Sequence, residues 1–131
     1  MKEFDFKDGN GPVPAHRHKN HDGSIGGWVA ETATVANTVF IGPDARIFGK
    51  ALVLSNAWVG GNARVSGTAW VSGKARVLGG ARVLDNACVF GNARVGGNTQ
   101  VGGDARVSGN TRMFGKAVDD TSEPTGWLCT T

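Results

Sequence analysis

The sequence predicts a single all-β domain in which short parallel strands stack as a solenoid, and three observations support this prediction. An aliphatic residue returns every six residues from Val29 to Met113 without an insertion. The fifth residue of each of these fifteen hexads is small or β-branched, most often Ala. Gly occupies the third position in ten of the fifteen, and Gly tolerates the positive φ of tight turns. A period of six fits neither the helical repeat nor strands joined by hairpins.

Each position of the hexad has a physical role in such a coil. A β-branched residue favours a short extended segment, and its neighbours point outward because strand side chains alternate. Gly and Asn then allow the chain to bend, and a small residue fits where the chain closes on itself. Coils stacked by parallel pairing share one aliphatic interior.

The hexads divide the chain into three segments. Residues 29–118 are the predicted solenoid, residues 1–28 an N-terminal cap or tail, and residues 119–131 a C-terminal tail. The ends of a solenoid need covers, because edge strands and the apolar interior are otherwise exposed. Large apolar residues of the two tails could supply these covers: Phe4, Phe6, Trp28, Trp127 and Leu128.

The hexad pattern, clearest in "IGPDAR" at residues 41–46, resembles that of the hexapeptide-repeat proteins. The resemblance covers residues 29–118. It implies a left-handed parallel β-helix with three hexads per triangular coil, hence about five coils from fifteen hexads. It also implies a homotrimer. The short chain is most similar to uncharacterised, non-enzymatic members of the family in bacteria and phages.

With three hexads per coil, outward residues 18 positions apart stack on one of three faces. Face one carries Arg46, Arg64 and Arg82, flanked by Phe48 and Leu84. Face two carries Leu52, Trp70 and Cys88, beside Leu54 and Phe90. Face three carries Phe40 and Trp58, followed by Arg76, Arg94 and Arg112.

The arginine lines of faces one and three are candidate binding surfaces. The formal net charge is +3, but residues 29–118 hold ten Lys or Arg against four Asp or Glu. Stacked like charges repel, whereas Arg binds carboxylates and phosphates through paired hydrogen bonds. We therefore expect an anionic small ligand or a protein partner there. The alternative is solvated arginines whose stems cover the wall. Nucleic acid is a weaker candidate, because no aromatic residues interleave with the arginines.

Face two is an apolar strip of a kind that soluble monomers rarely expose. We expect Leu52, Leu54, Trp70, Cys88 and Phe90 to form the interface between copies of the chain. The alternative is that the N-terminal tail of the same chain covers the strip.

The histidines argue against an enzyme. Acyltransferases of the hexapeptide-repeat family use a His base on a coil or extruded loop, and a smaller branch binds a metal through three His. This repeat has neither a His nor an insertion. His16, His18 and His21 could gather around zinc. The alternative is a polar tail that uses them for hydrogen bonds, and we expect no cofactor.

The sequence favours a non-enzymatic interaction module, and a phage-encoded inhibitor or sequestering protein is one concrete version. An acyltransferase-like enzyme and a structural component of a larger particle are the alternatives. No apolar run is long enough to cross a membrane. Two cysteines, Cys88 and Cys129, make no disulfide framework, so a cytoplasmic location is the default expectation.

Overall fold

The structure is a computed structural model that describes residues 2–6, 9, 11–103, 105–110, 112–114 and 117–118. Among these residues there are eighteen strands in three sheets and no helix. The C-terminal tail predicted for residues 119–131, with its candidate cover residues, lies outside the described residues.

The strands divide among the sheets as follows. Sheet one contains β1 (Glu3–Asp5), β2 (Pro12–Lys19), β3 (Ile25–Ala30), β6 (Arg46–Ile47), β9 (Arg64–Val65), β12 (Arg82–Val83), β15 (Gln100–Val101) and β18 (Ala117–Val118). Sheet two contains β4 (Thr34–Val35), β7 (Leu52–Val53), β10 (Trp70–Val71), β13 (Cys88–Val89) and β16 (Arg106–Val107). Sheet three contains β5 (Phe40–Ile41), β8 (Trp58–Val59), β11 (Arg76–Val77), β14 (Arg94–Gly96) and β17 (Arg112–Phe114).

From β3 onward the chain visits the three sheets in turn, so that consecutive coils stack in parallel. Arg46 pairs with Arg64, and Arg64 pairs with Arg82, each 18 residues further along the chain. The fold is therefore an all-β parallel solenoid of about five turns, and this part of the prediction is confirmed. The three sheets present faces one, two and three outward.

The interior is filled by the two hexad positions that the sequence assigned to it. The aliphatic residues Val59, Val65 and Val71 are fully buried, and so is the small residue Ala63. Burying a valine side chain stabilises a fold by roughly 1.5–3 kcal/mol. Because every coil contributes such residues, one continuous core runs through the solenoid.

The turn position of the hexad needs Gly for two reasons. Gly61 has a φ of 59°, which side chains with a Cβ rarely adopt. A Cβ at Gly61 would also lie 2.8 Å from the backbone N and O of Gly79 in the next coil. Ser55 and Asp85 occupy the same turn position with φ of 62° and 57°. Asp85 also accepts a hydrogen bond from the backbone N–H of Gly103 at 3.0 Å.

The last strand departs from the predicted register by one residue. Gln100 pairs with Ala117 and Val101 with Val118, which is a spacing of 17 residues rather than 18. The predicted spacing would have placed Asp119 opposite Val101. A charged residue is disfavoured at a position that faces the apolar interior, so the pairing with Val118 is the better match.

The N-terminal residues extend sheet one as antiparallel strands. β1 pairs with β2, and β2 pairs with β3, whose end begins the parallel stack. Phe4 stacks on Trp28, and Phe6 stacks on Phe48, each with ring centroids 4.9 Å apart. Phe6 is fully buried. This segment therefore closes over the first coil through a second apolar cluster.

Candidate functional site

The arginines of face one stand on consecutive coils of sheet one. Arg46, Arg64 and Arg82 are neighbours in register, with Trp28 before them and Gln100 after them. Parallel strands lie about 4.8 Å apart, so these positively charged side chains are close to one another. Burial, followed by the charges of Arg46 and Arg82, lowers the pKa of Arg64. We call this set the face-one column.

The arginines of face three follow two aromatic residues along sheet three. Phe40 pairs with Trp58, Trp58 with Arg76, Arg76 with Arg94, and Arg94 with Arg112. The rings of Phe40 and Trp58 are 4.2 Å apart, and the Arg76 guanidinium lies 5.8 Å from the Trp58 ring centroid. Trp58 remains 42% exposed. The three arginines form the face-three column.

A groove of about 330 Å³ runs along the face-three column. Its lining is entirely basic or amide-bearing: Lys74, Arg76, Asn92, Arg94, Asn110 and Arg112.

Neither column is neutralised by carboxylates within the part of the chain that the structure describes. The ion pair found there joins Nδ1 of His16 to Oε2 of Glu31 at 3.0 Å. No described Asp or Glu lies within 4.0 Å of a column arginine. The predicted arginines are therefore brought together in two lines whose positive charge has no internal partner.

A further arginine that sequence reasoning missed joins the face-one column at its N-terminal end. Arg17 lies on β2, where its Nε–H donates to the Gly26 carbonyl at 2.9 Å and its Nη2 to the Pro43 carbonyl at 3.3 Å. Its guanidinium also lies 5.9 Å from the Trp28 ring centroid. A cavity of about 340 Å³ opens here, lined by Phe4, Arg17, Trp28, Pro43, Asp44, Ala45, Arg46, Asn62 and Arg64.

The apolar residues of face two also stack as predicted. Leu52 pairs with Trp70, and Trp70 pairs with Cys88. The next residue in the line is Arg106, which the sequence analysis overlooked although it stands 18 residues after Cys88. The apolar strip therefore ends at a positive charge.

Face two is not fully open to solvent. Leu54, Trp70 and Phe90 are half-buried, and Cys88 is 3% exposed. Cys88 is disulfide-bonded, which departs from the expectation that the cysteines form no disulfide; Cys129 lies outside the described residues. The buried indole N–H of Trp70 has no hydrogen-bond partner among the described residues.

The three histidines are not gathered into one site. His16 pairs with Glu31, the buried His18 donates from Nε2 to the Val39 carbonyl at 2.9 Å, and His21 is exposed. Desolvation is the main cause that lowers the pKa of His18. Across the described ranges, no three His, Cys, Asp or Glu residues lie together as a metal site requires. The zinc hypothesis therefore gains no geometric support within one chain.

Membrane insertion through a helix finds no candidate in the described residues. None of them belongs to a helix that is long and apolar enough to cross a bilayer.

Comparison with known proteins agrees with the fold. Residues 57–73 and 99–115 match a family model described as YdcK Beta solenoid repeat. No curated protein and no solved structure matches the chain. The first matched segment begins at the small residue Ala57 and spans the strands β8, β9 and β10. Together, the match and the three stacked sheets identify the chain as a β-solenoid repeat protein.

Proposed function

We propose that the chain is a non-enzymatic interaction module that binds an acidic protein surface along the face-three column. The observation that carries the proposal is that Arg76, Arg94 and Arg112 stand on consecutive coils without a carboxylate partner among the described residues. Rigid β-pairing holds the three charges together, so their repulsion is relieved when carboxylates of a partner approach. Complementary charge of this kind gives specificity and rapid association.

The exposed Trp58 supports the choice of face three over face one. It stands directly before Arg76 in the same line and is 42% exposed. Trp and Arg are the residue types that most often dominate the binding energy of protein interfaces. An apolar anchor beside a positive groove suits a partner that presents acidic residues around an apolar residue.

Fluorescence anisotropy with a labelled glutamate-rich peptide tests the proposal. We expect saturable binding that weakens as salt rises from about 0.05 M to about 0.2 M, because salt screens exposed charges. The Arg76→Glu/Arg94→Glu variant should lose this binding. The Arg64→Glu/Arg82→Glu variant makes the same charge change on face one and should retain it.

Three outcomes would overturn the proposal. Unchanged affinity in the face-three variant would show that the column is not the binding surface. Equal loss in both variants would reduce the binding to net charge. Tighter binding of a single-stranded oligonucleotide than of the peptide would favour nucleic acid.

We also propose that copies of the chain associate through face two as a homotrimer. The support is the apolar strip that Leu52, Leu54 and Phe90 form around Trp70, whose indole N–H is without an acceptor among the described residues. Sedimentation should give three chains for the wild type and one chain for Leu54→Glu. A wild-type monomer would refute the trimer.

The finer interpretation of the fold belongs to the same proposal. One short strand every six residues supports left-handed triangular coils of the hexapeptide-repeat kind. An experimental structure would decide the hand directly. If the chain is phage-borne, the acidic partner would be a cytoplasmic host protein that the module inhibits.

The non-enzymatic character rests on the positions of the imidazoles. His16 and His18 already have partners, and neither lies on a face that carries an arginine column. Acetyl transfer from acetyl-coenzyme A that is lost in a His16→Ala/His18→Ala/His21→Ala variant would establish the acyltransferase alternative instead.

A further inference from the structure

We infer that the cavity between the N-terminal strands and the first coil binds a small molecule that carries a phosphate monoester. This site is distinct from the face-three groove and does not depend on the partner proposed for that groove. It combines side chains from both antiparallel strands β1 and β2 with side chains of the solenoid. We call it the N-terminal cavity.

Three guanidinium groups define the polar side of the N-terminal cavity. Arg17 is held by hydrogen bonds to the carbonyls of Gly26 and Pro43, and these leave part of its guanidinium free to donate elsewhere. Arg46 lies with its guanidinium carbon 5.1 Å from the Phe4 ring centroid. Arg64 is the half-buried centre of the face-one column.

The charge of the lining matches a doubly charged anion. The three arginines are accompanied by one acid, Asp44, which lies within 4.0 Å of none of them. The lining therefore carries two positive charges more than negative ones. A phosphate monoester carries about −1.5 to −2 charge at neutral pH and offers three acceptor oxygens. Arg groups bind such oxygens through paired hydrogen bonds.

The size and the apolar wall of the cavity indicate more than a free ion. Its volume of about 340 Å³ lies within the range of small-ligand sites, which begins at roughly 300 Å³. Phe4 and Trp28 stack on each other and form the apolar wall. A ligand that places its phosphate among the arginines would bring an organic group against Phe4.

This assembly gives the N-terminal strands a role in binding. Phe4 belongs to β1 and Arg17 to β2, so the site is complete only when both strands are docked on the first coil. A ligand that contacts both strands and the solenoid stabilises the docked arrangement, since it binds the folded state alone.

Isothermal titration with phenyl phosphate and with inorganic phosphate tests the inference. We expect one site per chain for phenyl phosphate, and a loss of about tenfold or more in affinity for Arg46→Gln/Arg64→Gln. The matched variant Arg76→Gln/Arg94→Gln removes the same charge on face three and should change the affinity by less than about threefold. Phe4→Ala should weaken phenyl phosphate but leave inorganic phosphate unchanged.

Arg17→Lys supplies a second probe that keeps the charge while removing the planar guanidinium. It should weaken phenyl phosphate, and circular dichroism should show the wild-type fold. Equal weakening by the face-three variant would reduce the effect to net charge and overturn the site. Absence of saturable binding of either probe at roughly 10 mM would overturn it as well. Inorganic phosphate binding as tightly as phenyl phosphate would refute the organic part of the ligand. None of these outcomes depends on the glutamate-rich peptide, so the two sites fail or stand separately.

Discussion

The side chain of Asn20 completes the backbone hydrogen bonding of Ile41. Its Nδ2 donates to the Ile41 carbonyl at 2.9 Å, and its Oδ1 accepts from the Ile41 N–H at 2.8 Å. Ile41 ends β5, the first strand of sheet three, which has a pairing strand on one side only. Asn20 therefore takes the place of the missing strand, and it is itself buried.

Replacing Asn20 with Ala should destabilise the fold by about 2–4 kcal/mol, because two buried backbone groups of Ile41 lose their partners. Chemical unfolding measures this change. Asn20→Asp should be at least as harmful, since a carboxylate cannot donate to the Ile41 carbonyl. The exposed Asn37→Ala is the control and should stay within about 0.5 kcal/mol of the wild type. A loss at Asn20 no larger than at Asn37 would show that the clamp does not contribute.

The buried His18 should make stability depend on pH. Its pKa in the folded state is lowered, chiefly by desolvation, so the unfolded chain binds a proton more readily than the folded chain does. Stability is therefore fully present above the unfolded pKa of about 6.5 and is lost as pH falls below it. The melting temperature should fall between about pH 7 and pH 5 in the wild type and fall less in His18→Gln. Equal slopes for the two proteins would contradict this role.

Two glycines at the same turn position should respond differently to Ala. Gly61 and Gly109 have φ of 59° and 62°, so both substitutions strain the backbone by about 1–2 kcal/mol. Only at Gly61 would the new Cβ also meet backbone atoms of the next coil, at 2.8 Å; no described atom lies within 4 Å of it at Gly109. We expect Gly61→Ala to cost roughly 1–3 kcal/mol more than Gly109→Ala in urea unfolding. Equal costs would mean that φ alone selects Gly.

Repulsion within the face-one column predicts that Arg82→Gln stabilises the protein. The substitution repeats the pairing that Gln100 already makes in the next coil, and it removes one neighbour of Arg64. We expect a gain of about 0.5–1 kcal/mol at low salt that shrinks at about 1 M NaCl. Lys50→Gln removes an exposed charge whose register neighbours Thr32 and Thr68 are uncharged, and it should show no such gain. Destabilisation of Arg82→Gln at both salt concentrations would refute the repulsion.

The sequence is sufficient to predict the stacked part of the molecule. Val59 and Ala63 are buried, and Arg46, Arg64 and Arg82 align, because a fixed repeat of equal coils converts sequence spacing directly into spatial neighbours. Arg106 could have been placed by the same rule. The exception is the last coil, where Val118 replaces the expected residue one position later.

The N-terminal contacts were not predictable in this way. Asn20 meets Ile41, and Arg17 meets Pro43, only because β1 and β2 fold back as antiparallel strands on sheet one. No repeat relates these positions, so sequence spacing carries no information about their distance. For the same reason the spacing of His16, His18 and His21 suggested a common site, whereas the strand turns their side chains into different surroundings.

The most direct measurement for the proposed function is a titration of the ¹⁵N-labelled protein with the glutamate-rich peptide, observed at the arginine Nε–H resonances. If the face-three column binds acidic groups, the signals of Arg76 and Arg94 should shift in a saturable manner, while those of Arg46 and Arg64 stay in place. Shifts confined to other arginines, or no shift at all, would contradict the function proposed for face three.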